Sequence, residues 1–205
     1  MNATVEEKSA IEVLLSRHSV RSYKRDVQIS DEQLTEIFNL TSGAPSAWNL
    51  QNWRFLVIRE QAKKDQLLPL AYNQQQVSDA SAVIIVLGDL EANLVAPSVY
   101  ENKPAHIRDA VLAQINGAYA NNPQYARDEA IRSASFAAMQ LMIVAKAKGY
   151  DTVPMGGFDK AAVRTLLNIP DRYVINMMIA LGEAETAGRA SDRLPLEHQI
   201  IHETF

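Results

Sequence analysis

The sequence predicts an α+β protein, and three observations carry the prediction. Three short runs rich in β-branched residues, Arg54 to Arg59, Ser81 to Gly88 and Tyr173 to Ala184, read as buried strands. Stretches with helical apolar spacing fill most of the chain between and around them. The 205 residues are 47% apolar, enough to bury a substantial core. A few central strands under many helices follow. No repeat, low-complexity tract or Pro/Gly/Ser-rich linker interrupts the pattern, so one domain over residues 1–205 is expected.

The elements follow in order. Val5 to Leu15 has helical spacing and is expected to form the first helix. Ser30 stands before Asp31, Glu32 and Gln33, a capping-box pattern with acidic residues in the first turn. Leu34, Ile37, Phe38 and Thr41 give that second helix its inner face, and Gly43 ends it. "QAKKDQLLPL" predicts a helix between the first two strands, and residues 105–120 predict another. Asp128 to Lys148 is the longest predicted helix, with Gly149 as its stop. Asp159 caps a short helix ending before Pro170. The last strand ends at Gly182. Beyond it, "ETAGRASDRLPLEHQIIHETF" shows little pattern. So long a tail on a compact domain needs a surface to lie on, and a second subunit is one answer.

Composition excludes several function classes. The net charge is -4, whereas a nucleic-acid binder usually shows a basic domain or stripe. There is no cysteine, hence no disulfide, thiolate nucleophile or Cys-ligated metal. "MNATVEEKSA" lacks the features of a signal segment, and runs such as "MMIALG" are too short to span a bilayer. A cytoplasmic protein without nucleic-acid or membrane partners is expected.

Against that acidic background "SRHSVRSYKRD" gathers Arg17, Arg21, Lys24 and Arg25 within eleven residues. In an extended chain Arg17, Ser19 and Arg21 point the same way. Two guanidiniums and a hydroxyl on one face can cradle a phosphate. The alternative is that Arg17 and His18 close a helix C-terminus and the other charges face solvent. "APSAWNLQNW", Ala44 to Trp53, is a loop dense in amides and hydroxyls; Asn49 and Gln51 can both donate and accept. It suits a planar heteroaromatic ligand, or is an ordinary surface loop. In "VPMGGFD", Pro154 stiffens the backbone, while Gly156 and Gly157 let it approach a flat ligand. A Gly-Gly pair is also an ordinary turn, and no dinucleotide fingerprint is present. His198 and His202 of "HQIIH" lack a third ligand, so no metal site is expected.

The order "RHSVR", "APSAWNLQNWRF", "YNQQQVSDAS", "PMGGF", "VINMMIALG", "DRLP" resembles the nitroreductase family of flavin-dependent oxidoreductases, over about residues 10–197. The resemblance implies a central, mostly antiparallel sheet flanked by helices, and a homodimer with an exchanged C-terminal arm. It also implies flavin mononucleotide (FMN) at the subunit interface, with NAD(P)H as electron donor. Carried over residue by residue, Arg17, His18, Ser19 and Arg21 meet the flavin phosphate, ribityl chain and pyrimidine edge. Pro45, Ser46, Ala47 and Asn49 approach from the other subunit. Asn73 supplies an amide, and Gln76 stands where some members have a lysine. Pro154, Met155, Gly156 and Gly157 lie along the ring with a backbone N–H near N5, and Arg193 joins Arg17 at the phosphate.

Trp48 and Tyr72 are the expected acceptor-pocket residues, near the region 96–125. Its tyrosines, Tyr100, Tyr119 and Tyr125, have plain packing as the alternative. Two departures from the family stand out: Gln51-Asn52-Trp53 where Gln-Pro-Trp is common, and Gly156 where some members have glutamate. The cofactor carries the hydride chemistry, so no catalytic side chain is expected. The implied activity is ping-pong reduction of nitroaromatics, quinones or similar acceptors. The alternatives are a specialised oxidase, dehalogenase or flavin-fragmenting enzyme of the same fold, and a flavin-binding sensor or carrier without turnover.

Overall fold

The computed structural model describes residues 9–205. The first helix, α1 (Ala10–Ser16), is held by a capping box between Ser9 and Glu12; the expected start at Val5 lies outside the described residues. Helix α2 (Asp31–Thr41) has the predicted box between Ser30 and Gln33 and buries Leu34, Ile37 and Thr41. Then come β1 (Trp53–Ile58), α3 (Gln61–Leu70), the single turn α4 (Gln76–Asp79) and β2 (Ala82–Asp89). A second single turn, α5 (Ala96–Val99), leads to α6 (Ala105–Tyr119) and α7 (Pro123–Ala147). The chain ends with β3 (Asp151–Met155), α8 (Lys160–Leu166) and β4 (Tyr173–Gly182), followed by the tail.

The sheet has four strands in the order β1-β2-β4-β3, and every neighbouring pair is antiparallel. The fold is α+β, as the sequence predicts, but with one strand more than the three expected. The extra strand, β3, holds Pro154 and Met155 of the "PMGGF" stretch. A proline lacks the N–H a central strand would need, which disguises the segment as a loop. β3 lies at the sheet edge, where a proline is tolerated.

Both faces of the sheet are covered. β2 is buried along its whole length, so its residues alternate between two cores. Val83, Ile85 and Leu87 join Leu67, Val77, Val163 and Met178; Ala82, Ile84 and Val86 join Ile37, Ala137 and Leu141. α7 crosses the second face closely enough that a Cβ on Gly88 would sit 2.7 Å from the Ala130 carbonyl oxygen. α7 also starts five residues before the expected Asp128. Asn122 caps it and Pro123 fills the first helical position, where a missing N–H costs nothing. A buried carboxylate ties the sheet to the loops: Asp89, 1% exposed, takes a two-pronged contact from Arg172 at 2.7 and 2.8 Å. No helix among the described residues is long and apolar enough to cross a membrane.

Candidate functional site at the end of strand β3

The basic segment leaves α1 in extended form along the outer edge of β3. Ser19 bridges Thr152 in parallel, and the Val20 N–H donates to the Thr152 carbonyl at 3.1 Å. Val20 and Tyr23 point inward and are buried at 1% and 3% exposure. Burial and the nearby Asp151 push the Tyr23 hydroxyl well above its ordinary range; Arg21 opposes the shift. The hydroxyl donates to the Ala180 carbonyl at 3.1 Å, anchoring the segment.

The four cations divide into two pairs. Lys24 pairs with Glu183 at 3.1 Å and Arg25 with Asp79 at 3.0 Å. The Arg17 and Arg21 side chains have no hydrogen bond or ion pair among the described residues. The Arg17 backbone closes α1, its N–H on the Val13 carbonyl at 3.0 Å. Arg21 faces a cavity of about 440 Å³ lined by Ser19, Ser22, Thr186, Arg189 and Ser191 among others, with no carboxylate in its wall. The tail closes one side: a Cβ on Gly188 would fall 2.7 Å from the His18 Cβ. Arg189 joins this cavity with little signal in the sequence beyond being a second arginine four residues before Arg193. Arg193 itself is exposed and donates back to the carbonyls of Ser191 and Asp192, at 3.1 and 3.0 Å.

At the other end of β3 the chain turns through Gly156 and Gly157, both exposed. A Cβ on either would meet nothing within 4 Å, so open space lies against the bare backbone. The loop after α3 packs beside this turn. Gln74 Nε2 donates to the Gly157 carbonyl at 2.8 Å, and Gln76 Nε2 lies 3.8 Å from Met155 Sδ. Gln76 is buried at 6% exposure, whereas Asn73 and Tyr72 are exposed.

The Pro45–Asn49 loop is elsewhere. Ser46 Oγ accepts from the Gln51 N–H at 2.9 Å, and Gln51 Nε2 donates to the Asn49 carbonyl at 2.9 Å. Tyr100 donates to the Trp48 carbonyl at 3.0 Å, and Tyr125 stands edge-on to the Trp48 ring at 6.3 Å. Asn52, in the place of the family's proline, is fully buried, and its Nδ2 donates to the Tyr119 hydroxyl at 3.0 Å. Its Oδ1 has no partner. Burial pushes the Tyr119 hydroxyl up to about 12, against the Asn52 hydrogen bond. Within one chain no hydrogen bond, ion pair or ring contact among the described residues joins this loop to the β3 group. The two loops share a backbone feature: Trp48, Asn49, Gln51, Tyr72 and Asn73 have φ between 49° and 55°. For Trp and Tyr that conformation is a local strain, of the kind that gathers at ligand sites.

A four-stranded antiparallel α+β scaffold carries an acid-free cationic cavity and a bare glycine turn at one sheet edge, an arrangement whose chemistry suits an anionic, flat ligand. The nitroreductase family model matches residues 14–183. YodC of Bacillus subtilis, which carries the name of an NAD(P)H nitroreductase, is 47% identical over 92% of this chain and 96% of its own. A Thermus thermophilus protein named NADH dehydrogenase is 34% identical over 98% and 99%. A protein from Exiguobacterium sibiricum, described as a nitroreductase and solved in complex with FMN, superposes with a TM-score of 0.91. It is 37% identical and covers 98% of this chain and 100% of its own. The chain belongs to the nitroreductase family of oxidoreductases.

Proposed function

We propose that this chain is an FMN-dependent oxidoreductase that uses NAD(P)H to reduce nitroaromatics, quinones or similar small acceptors. The observation that carries the reading is the cavity beside Ser19: Arg21 and Arg189 face it, hydroxyls fill in between, and no carboxylate neutralises them. Charge-assisted donors of this kind suit a phosphate. The glycine turn at the far end of β3 leaves room for a flat ring on bare backbone. An FMN molecule carries both a phosphate and such a ring.

In this reading Arg17, His18, Ser19 and Arg21, with Arg193, hold the phosphate, ribityl and pyrimidine groups. Asn73 and Gln76 border the ring, and Pro154, Met155, Gly156 and Gly157 lie along it. When bound, FMN supplies the hydride chemistry, taking electrons from NAD(P)H and passing them to the acceptor. The protein binds and orients. No side chain is required as acid, base or nucleophile. Donor and acceptor use one opening in turn, bordered by Trp48 and Tyr72, and the kinetics are ping-pong.

The working unit is a homodimer, with Pro45, Ser46, Ala47 and Asn49 reaching the flavin held by the other chain. Three exposed apolar groups support it: Ile11, Leu14 and Leu15 on α1, Phe136 and Met139 on α7, and Leu194, Leu196, Ile200 and Ile201 on the tail. Patches of this kind mark protein interfaces.

The test is direct. The purified protein carries one FMN per chain in its visible spectrum, sediments as a dimer, and oxidises NADH or NADPH when a quinone or nitroaromatic is supplied. A colourless protein that fails to take up added FMN sinks the reading. A yellow protein without NAD(P)H turnover leaves the sensor alternative standing.

A further inference from the structure

The turn after β3 is fastened at three points. Gln76 Nε2 lies 3.8 Å from Met155 Sδ, Gln74 Nε2 donates to the Gly157 carbonyl at 2.8 Å, and the Asp159 N–H donates to the Leu70 carbonyl at 2.8 Å. Gln74 is itself locked: the same nitrogen donates to the Ala71 carbonyl at 2.9 Å, and its Oε1 accepts from Gln76 at 3.3 Å. The backbone N–H groups of Gly156, Gly157 and Phe158 have no acceptor among the described residues. The turn therefore has an occupied carbonyl and three unoccupied donors. Every peptide bond here is trans. In a trans peptide the carbonyl and the next N–H point in opposite directions, so holding the Gly157 carbonyl fixes the Phe158 N–H that shares its plane.

We infer that Gln74 is a positioning residue: by holding the Gly157 carbonyl it keeps the peptide between Gly157 and Phe158 presenting its N–H, and not its carbonyl, to the cofactor. The inference rests on the flavin reading. Its chemical consequence concerns N5, which accepts a hydrogen bond when the flavin is oxidised and carries a hydrogen when it is reduced. A turn locked as a donor favours the oxidised form. Without Gln74 the peptide is free to rotate and offer its carbonyl to the N5 hydrogen, so the reduced form gains.

The experiment uses full-length protein reconstituted with ¹⁵N-labelled FMN. Gln74→Met keeps the side-chain length and removes the donor. Gln75→Met is the control, since Gln75 donates at 2.9 Å to Asp79 on the same loop and does not touch the turn. Gln74→Met shifts the oxidised N5 resonance toward its value without a hydrogen bond. It also raises the reduced-to-oxidised affinity ratio about tenfold, the worth of one ordinary hydrogen bond, equal to ~30 mV for a two-electron couple. Gln74→Glu, also without a donor, moves the N5 resonance in the same direction. If neither Gln74 variant departs from Gln75→Met while all bind FMN, the role of Gln74 is overturned and the flavin reading stands. If wild-type protein does not quench FMN fluorescence, the flavin reading falls and takes the inference with it.

Discussion

Replacing Gly188 by alanine tests whether the tail shapes the cavity at Arg21 and whether that cavity holds the proposed cofactor. The new Cβ would stand 2.7 Å from the His18 Cβ, 3.1 Å from the Ser19 carbonyl oxygen and 3.3 Å from the His18 carbonyl carbon. Carbon atoms in ordinary contact are ~3.5–4.0 Å apart, so roughly 1 Å of space must be found. The basic segment cannot supply it, because buried Val20 and Tyr23 hold it to Thr152 and Ala180 at 3.1 Å each. The tail can, since its nearest backbone ties are two hydrogen bonds to the Ser22 carbonyl, a long one from the Thr186 N–H at 3.5 Å and one from the Glu185 N–H at 2.9 Å. Global stability therefore falls by only about 1 kcal/mol, the value of one such bond.

The cavity loses more. Arg189 moves away with the tail, and a lost charge-assisted bond costs about 1.5–3 kcal/mol, roughly 10- to 150-fold in FMN affinity. Fluorescence titration of the apoprotein with FMN reads the affinity, and a urea melt reads the stability. Gly117→Ala is the control, since its Cβ meets nothing within 4 Å in the last turn of α6. It stabilises by about 0.5–1 kcal/mol and leaves FMN affinity alone. A Gly188→Ala protein that binds FMN as tightly as Gly117→Ala refutes the reasoning.

Gly88→Ala pushes a Cβ to 2.7 and 2.8 Å from the Ala130 carbonyl oxygen and carbon, both backbone. Neither side can yield cheaply, so unfolding free energy drops by about 3 kcal/mol in urea. Arg172→Met leaves Asp89 buried with only Arg54, at 3.6 Å, as its charge partner; a loss of about 3 kcal/mol follows, and Asp89→Asn in the same background recovers part of it. At alkaline pH the Tyr119 hydroxyl, at about 12 in the folded chain against 10.0 ordinarily, keeps its proton after the unfolded chain has lost it. Stability therefore falls as pH rises from 10 to 12, and urea midpoints fall less steeply in Tyr119→Phe.

Local patterns were legible where one residue's neighbours in sequence are also its partners in space. Ser30 and Gln33 are three apart and bond to each other, so the capping box could be read directly. Asp159 caps α8 through the N–H groups of Ala161 and Ala162 for the same reason. The misreadings have physical causes too. Pro154 argues against a strand unless the strand is an edge, and edge position depends on sheet order. Asn122 and Pro123 open α7 with a cap that apolar periodicity does not reveal. Nothing in the composition of "SAWNLQN" requires Trp48 to sit at φ 49°; its partners there, Tyr100 on its carbonyl and Tyr125 against its ring, come from distant parts of the chain.

The candidate site shows the same division more sharply. The residue types that line it, the cations of the N-terminal segment and the paired glycines, were visible in the sequence. Its adjacencies were not. Gln74 and Gly157 are 83 residues apart, and their hydrogen bond follows from α3 ending beside β3. Arg189 faces the same cavity as Arg21 only because the tail doubles back from β4 over Ser22. β3 brings these segments together: its start carries Ser19 and Val20 on Thr152, and its end delivers Met155 and the glycine turn to Gln74 and Gln76. The five residues of β3 at about 3.3 Å each set roughly 13–17 Å between its two ends. That span separates a charged pole from a flat, uncharged one, as an elongated cofactor with a phosphate at one end and a ring at the other requires. The strand hardest to recognise in the sequence is therefore the one that sets the dimensions of the site.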